Sequence, residues 1–299
     1  MSPMSAVEQR APAKINLYLH VGPPQADGRH PLDSLVVFAD IGDVMAYAPD
    51  GAVGLEIDGP FAGGLEAGED NLALRAARLL AQHLGAPLTG RLILRKHLPV
   101  ASGIGGGSAD AAATLRLLAR AWKAELSLPE LARLSIPLGS DVPACVMGAP
   151  ALLRGTGETL EPAPLLPDLN AVLVNPLIPV PTGAVYAAFD AQGAAPPLLV
   201  REFPHCGAPI AAVQALKGRR NDLEQAARGL VPQIGAVLDV LRSQPGVRLA
   251  RMSGSGATCF GLFDTALAAR SAANQIQSAH PDWWTVATRL MGQTGSARR

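Results

Sequence analysis

The residues best suited to chemistry lie in one run, Pro99-Val100-Ala101-Ser102-Gly103-Ile104-Gly105-Gly106-Gly107-Ser108-Ala109, followed by Asp110. Glycines occupy 103, 105, 106 and 107, so backbone N–H groups can converge there without Cβ atoms in the way. The pattern predicts a helix over Ser108 to Ala124, whose start adds orphan N–H donors and the positive end of a dipole. Together these form a pocket for phosphate. Each charge-assisted hydrogen bond is worth roughly 1.5–3 kcal/mol, so several can hold a triphosphate without a basic surface. The run lacks the Gly-Lys-Ser/Thr of a P-loop. It also reads Gly-x-Gly-x-x-Ser, not the Gly-x-Gly-x-x-Gly of a dinucleotide fold, and a second helix follows it instead of a second strand.

A second glycine turn, Ser253-Gly254-Ser255-Gly256-Ala257, joins two predicted strands. It serves equally as a plain hairpin or as backbone that approaches a ligand. A hydroxyl attacking a γ-phosphorus gains from a carboxylate that takes or orients its proton and from a cation that offsets developing charge. Asp141, in Leu138-Gly-Ser-Asp141-Val-Pro143, and Lys14, in Pro12-Ala-Lys14-Ile-Asn16, supply one of each. Singly, Asp141 is a turn former or N-cap and Lys14 a solvated strand residue; the pair is what suggests catalysis.

The elements that must position these groups follow from periodicity. Ile15, Leu17, Leu19 and Val21 alternate with Asn16, Tyr18 and His20, the pattern of a half-buried strand ending at Gly22-Pro23-Pro24. Further strands are predicted over Ser34 to Ala39, Val44 to Ala48 and Val53 to Ile57, separated by Asp/Gly turns. Leu72, Ala76, Leu79, Leu80 and Leu84 recur at helical spacing between Asp70-Asn71 and Gly85. A strand over Arg91 to Lys96 precedes the glycine run, and Ser127-Leu-Pro-Glu130 has the spacing of a capping box. Beyond about residue 165 the order is a strand at Ala171 to Val174, helical segments between Pro209 and Arg242, strands at Val247 to Met252 and Thr258 to Phe263, a helix at Thr265 to Ala279 and a strand at Trp283 to Thr288. That is β-α-β-β-α-β, the split βαβ of ferredoxin-like domains. With Pro162, Pro164 and Pro167 clustered at the change of pattern, the expected division is residues 1–164, carrying the glycine loop, and residues 165–299.

Composition removes several classes of function. Lys+Arg and Asp+Glu both number 25, so no overall field draws the chain to nucleic acid or an anionic membrane. Aromatics at 4% are too few for a single-strand stacking platform. Cys145, Cys206 and Cys259 stand apart without a C-x-x-C pair, which fits a reducing cytoplasm. The six histidines show no zinc-ligand spacing, so no metal ligands are assigned. The stretch Ala171 to Phe189 is interrupted by Asn175, Pro176, Pro179 and Pro181 and reads as a strand and turn, not a membrane span. The first 14 residues lack the apolar core of a secretory leader.

Pro12-Ala-Lys14-Ile-Asn16-Leu, the loop Leu98 to Asp110 and Ser253-Gly-Ser-Gly-Ala257 resemble, in order, the three motifs of the small-molecule kinase superfamily named for galactokinase, homoserine kinase, mevalonate kinase and phosphomevalonate kinase. Ala26-Asp-Gly-Arg-His30, Leu138-Gly-Ser-Asp-Val-Pro143, Pro181-Thr182 with Tyr186, and Asn221-Asp-Leu-Glu224 resemble the branch acting on 4-diphosphocytidyl-2-C-methyl-D-erythritol. The resemblance implies an α+β protein of two domains, the N-terminal one of the ribosomal protein S5 domain 2 type and the C-terminal one ferredoxin-like. It implies ATP-dependent phosphorylation of the 2-hydroxyl of that cytidine diphosphate methylerythritol, in the non-mevalonate isoprenoid pathway, with Mg²⁺ accompanying ATP. ATP phosphates would lie on Pro99 to Ala109, Lys14 and Asp141 at the reacting hydroxyl with Asn16 nearby, and His30, Thr182 and Tyr186 around the substrate. Ser108 would serve either as a Mg²⁺ ligand or as a helix cap. The family has an aromatic residue where this chain has Arg29, which either stacks on the base or faces solvent.

Two rivals stay open at this level. Another kinase of the superfamily would have no use for the Asp-Gly-Arg-His turn and Tyr186, which have a purpose if a base must be gripped. A non-catalytic nucleotide binder would have no use for the Lys14 and Asp141 pair. No heptad or long apolar stripe indicates an oligomer.

Overall fold

The computed structural model describes residues 7–49, 53–193, 198 and 202–293. Part of the stretch read for a leader, and residues 294–299 of the tail, lie outside them. The chain forms two compact units, neither continuous in sequence. Unit 1 is Met1–Ala13, Ile41–Val100 and Gly105–Gly148; unit 2 is Lys14–Asp40, Ala101–Ile104 and Ala149–Arg299. A single cut at 164/165 does not describe this partition, because β1 (Val7–Val21) and β2 (Leu32–Ala48) each contribute residues to both units.

In unit 1, Val44–Ala48 of β2 pairs antiparallel with β4 (Arg91–Arg95), which pairs parallel with β3 (Gly54–Asp58). Helix α1 (Leu72–Leu84) lies between β3 and β4 in sequence; α2 (Gly106–Ala121), α3 (Leu128–Leu134) and α4 (Val142–Met147) follow. The limits predicted for α1 agree with its caps. Asn71 Oδ1 accepts from Ala73 N at 3.0 Å, and Gly85 is left-handed at φ 61°. Its buried face, Ala73, Leu74, Ala76, Ala77 and Leu80, packs on α2, whose Ala109, Ala111, Ala112 and Ala113 are also buried. Small residues on both faces let the backbones approach closely. Leu80, fully buried, anchors the contact, and its truncation to Ala costs about 2–5 kcal/mol. The capping box of α3 is present, with Glu130 Oε2 accepting from Ser127 N at 2.8 Å.

In unit 2, β5 (Ala151–Arg154) pairs with Ser34–Val36 of β2 and with β6 (Thr159–Pro162). Then come β7 (Leu169–Asn175), α5 (Thr182–Ala191), α6 (Pro209–Lys217), α7 (Glu224–Leu230), α8 (Gln233–Ser243), β8 (Val247–Met252), β9 (Cys259–Phe263), α9 (Ala266–Ala279) and β10 (Trp284–Met291). The order β10-β7-β9-β8, antiparallel throughout, is the ferredoxin-like arrangement expected from the sequence. Its core joins Val172 and Val174 of β7 to Ile234, Leu238 and Leu241 of α8 and Ala269 and Ile276 of α9.

Four sequence expectations change. The predicted turn after Ala39 is absent, and β2 runs unbroken for 17 residues. Gly42 does not turn the chain; a Cβ there would lie 2.3 Å from Ala11 O, so glycine permits close strand approach. Asp40 and Asp43, read as turn residues, are consumed by hydrogen bonds to Arg289 N and to His97 and Leu98 N. Strand β1 is buried on both faces from Lys14 onward, so its polar residues are not at a solvent edge. Helix α5 and strands β5 and β6 had no counterpart in the sequence reading; prolines masked the Val185 and Phe189 helical pair, both buried. Helix α2 begins at Gly106, two residues before Ser108, and ends at Ala121.

Candidate active site

The glycine loop divides between the units: Pro99, Val100 and Gly105 to Ala109 in unit 1, Ala101 to Ile104 in unit 2. In unit 1, Gly105 is the N-cap of α2, left-handed at φ 65° and without a side-chain cap. Ser108 is therefore the third residue of the helix, and the capping role left open for it falls away. The first N–H groups of α2 have no carbonyl within the helix to meet, and the glycines leave them uncovered.

A buried ionic group that the sequence reading missed lies under this turn. Lys96 Nζ is 2.5 Å from Asp43 Oδ2 and 2.7 Å from Asp110 Oδ2. Asp43 Oδ1 accepts from the backbone N–H of His97 at 2.6 Å and Leu98 at 2.8 Å. All three side chains are buried. Burial works against the charge on Lys96, but Asp110 and Asp43 hold its ammonium above the ordinary value. Burial pushes the Asp110 carboxyl up to about 7, with Lys96 opposing and Asp43 reinforcing the rise.

Asp141 directly precedes α4, in the N-cap position, yet its side chain makes no capping hydrogen bond. The residue is half-buried.

In unit 2 the other half of the loop is braced by the second glycine turn. Ser253 Oγ donates to Gly103 O at 3.1 Å, and Thr258 N donates to Ser102 O at 3.1 Å. Gly103 has φ 72°, and a Cβ there would stand 2.6 Å from the carbonyl oxygens of Ser253 and Gly256. No other residue fits. Asn221 grips the same turn by donating to Met252 O at 2.9 Å and Gly254 O at 2.8 Å. The Ser253 to Ala257 run is thus a buttress for residues 101–104 and not a free hairpin.

Lys14 and Asn16 join this assembly through β1. Lys14 N donates to Ile104 O at 2.9 Å, and its Nζ donates to Asn16 Oδ1 at 3.2 Å. Asn16 Nδ2 donates to Ser34 Oγ at 2.8 Å, and Asn16 N donates to Ser253 Oγ at 3.1 Å. A lysine on a strand needs an acceptor when buried; Asn16 supplies it and is itself held by two serines. Farther along the same strand face, burial lowers His20 to about 4.

His30 is buried, with Nδ1 2.9 Å from Gly22 O and Nε2 3.5 Å from Asp190 Oδ2. The carbonyl fixes Nδ1 as the N–H position. Tyr186, on α5, lies against this ring with centroids 5.0 Å apart. The Thr182 hydroxyl opening α5 is 3.0 Å from that of Ser255, which ties it to the second glycine turn. The structure therefore brings His30 to Tyr186, and Thr182 to the turn that also supports Asn16. Arg29 is exposed and pairs with Asp27 at 2.7 Å.

Comparison with known proteins gives the same outline. Residues 71–149 match the GHMP kinases N terminal domain and residues 210–282 the GHMP kinases C terminal domain. A 4-diphosphocytidyl-2-C-methyl-D-erythritol kinase of Caulobacter vibrioides (strain NA1000 / CB15N) is 49% identical over 285 residues, covering 94% of this chain and 98% of its own. The chain belongs to the 4-diphosphocytidyl-2-C-methyl-D-erythritol kinase family. The kinase of that name from Hyphomonas neptunium (strain ATCC 15444) is 50% identical, over 94% of this chain and 95% of its own. A crystal structure of a 4-(cytidine 5'-diphospho)-2C-methyl-D-erythritol kinase superposes with a TM-score of 0.76 at 36% identity, covering 96% of this chain and all of that one. The two-domain α+β fold is that of this kinase family. Among the described residues no helix is long and apolar enough to cross a membrane, and no group of three or more His, Cys, Asp or Glu could hold a metal ion.

The residues that sequence reasoning missed are partners: Ser34 and Ser253 for Asn16, Asp190 for His30, and Lys96 with Asp43 for Asp110. Only the alternation of β1, which puts Lys14, Asn16, Tyr18 and His20 on one face, hinted that such partners must exist.

Proposed function

We propose that the protein transfers the γ-phosphoryl group of ATP to the 2-hydroxyl of 4-diphosphocytidyl-2-C-methyl-D-erythritol, a step of the non-mevalonate isoprenoid pathway. Near 50% identity to kinases of that name over almost the full length of both chains carries this reading. ATP phosphates rest on the stretch Pro99 to Ala109, where an anion meets the N–H groups of the loop and helix end. Mg²⁺, when bound with the nucleotide, would supply neutralisation of phosphate charge. A polar hydroxyl in the first turn of α2, that of Ser108, suits an ion that keeps most of its water and needs few protein ligands.

Asp141 accepts or orients the proton of the 2-hydroxyl. The oxygen then forms its bond to the γ-phosphorus as the bond to the β-phosphate oxygen breaks, leaving ADP. Lys14, steered by Asn16, offsets negative charge on the transferring group. His30 and Tyr186 hold the cytosine, with the His30 ring fixed by the bond of Nδ1 to Gly22 O. Thr182 lines the substrate side. The division at 164/165 belongs to this proposal as the functional boundary, since it falls between the two matched stretches. So does a cytoplasmic location.

Incubation of the purified protein with ATP and, separately, the cytidyl substrate, mevalonate and homoserine tests the reading. ADP release with the cytidyl substrate alone is expected; turnover of mevalonate or homoserine in its place refutes it.

A further inference from the structure

We propose that Lys96, Asp43 and Asp110 are positioning residues for the phosphoryl donor, a buried ionic clamp that fixes both ends of the glycine loop. This rests on the loop being the ATP phosphate site. Asp43 Oδ1 takes the N–H groups of His97 and Leu98, which fixes where the chain leaves β4 for the loop. Its other oxygen holds Lys96 Nζ, and the same ammonium holds Asp110 Oδ2 in the first turns of α2, where the loop ends. A Cβ on Gly106 would lie 3.1 Å from Lys96 Nζ, so the ammonium sits directly behind the amides offered to phosphate. Buried ion groups are seldom the cheapest way to stabilise a core, and enforcing a register is their best-attested use. Here the register is that of a phosphate cradle.

Asp110 Oδ1 is buried without a hydrogen-bond partner, so the side chain is held through the bond of its Oδ2 to the ammonium.

Two measurements separate this inference from its premise. Amide hydrogen exchange of the wild-type chain, with and without a non-hydrolysable ATP analogue, is expected to show protection across residues 99–109. Protection elsewhere refutes the phosphate-loop reading and the clamp with it. Given protection there, KM for ATP, KM for the alcohol and kcat are measured for wild type, Asp110→Asn and Lys96→Met. Lys96→Met should raise KM for ATP about tenfold or more, and Asp110→Asn about threefold or more, each at unchanged KM for the alcohol. An unchanged KM for ATP, or losses shared by both substrates, overturns the clamp while leaving the loop assignment standing. Should Lys96→Met fail to fold, the isosteric Asp110→Asn decides alone.

Discussion

The two units hold their candidate functional residues by different means. Unit 1 offers backbone: glycine amides at the head of α2, with charged side chains buried behind them and one partly exposed carboxylate, Asp141. Unit 2 offers side chains interlocked by hydrogen bonds, Lys14 to Asn16, Asn16 to Ser34 and Ser253, and Ser253 to Gly103. Backbone donors are generic to any anion and need only be held still. Side chains that must meet a particular hydroxyl or base need partners that fix their direction, and unit 2 supplies them residue by residue.

The largest expected effect separates the two reactive groups. Asp141→Asn should lower kcat by about 10²–10⁴-fold at unchanged KM for ATP, since the amide keeps the shape of the carboxylate at the start of α4. Lys14→Met should lower kcat comparably and also cost about 1–2 kcal/mol of stability, since it strands the Asn16 carbonyl in a buried network. Steady-state kinetics and urea unfolding on both variants check this. A kcat that holds within about threefold in either variant would remove that residue from the phosphoryl transfer.

Next in size is a pair of glycines from the same loop, one in each unit. Gly103→Ala drives a Cβ against two carbonyl oxygens 2.6 Å away at a left-handed φ. It should cost about 3 kcal/mol or more, combining backbone strain with overpacking. Gly106→Ala meets the clamped end of Lys96 at 3.1 Å and Asp43 Oδ2 at 3.9 Å, in ordinary helical geometry. It should cost less, about 1–2 kcal/mol, and raise KM for ATP. Urea midpoints and KM values for the two variants test whether the unit 2 half of the loop is the rigid one.

These contrasts also explain what was readable in sequence. Elements bounded by local signals came through: Asn71 and Gly85 around α1, Ser127 and Glu130 at α3, Thr265 at α9, whose side chain accepts from Ala268 N. The order of strands and helices past residue 165 sufficed for the ferredoxin-like arrangement, because each element there has its own periodicity. Interruptions misled where tertiary contacts overruled them. Asp40, Gly42 and Asp43 look like a turn and are instead a strand segment whose polar groups are used far away in sequence. The glycine loop was legible because only glycine does what it does. The clamp behind it was not, since Asp43, Lys96 and Asp110 share no spacing and meet only through folding.

The smallest expected effect sets one titrating group of each unit against the other. His20, in unit 2, is neutral in the fold because burial lowers it from 6.5 to about 4. Between those values the unfolded chain binds the extra proton, so this residue withdraws stability as pH falls from about 6.5 towards 4. Asp110, in unit 1, has the opposite sign: raised by burial from 3.8 to about 7, it binds its proton in the folded state, and its contribution is lost as pH rises through that range. Asp33 in unit 2, also raised by burial, shares the sign of Asp110, so single substitutions are needed to isolate each group. Relative to wild type, His20→Gln should gain stability on acidification from pH 7 to 4.5, on the order of 1–3 kcal/mol. Asp110→Asn should gain on going the other way. Urea unfolding of the three proteins across that range decides it; differences that run in the same direction would mean that one of these burial environments opens to water before the fold is lost.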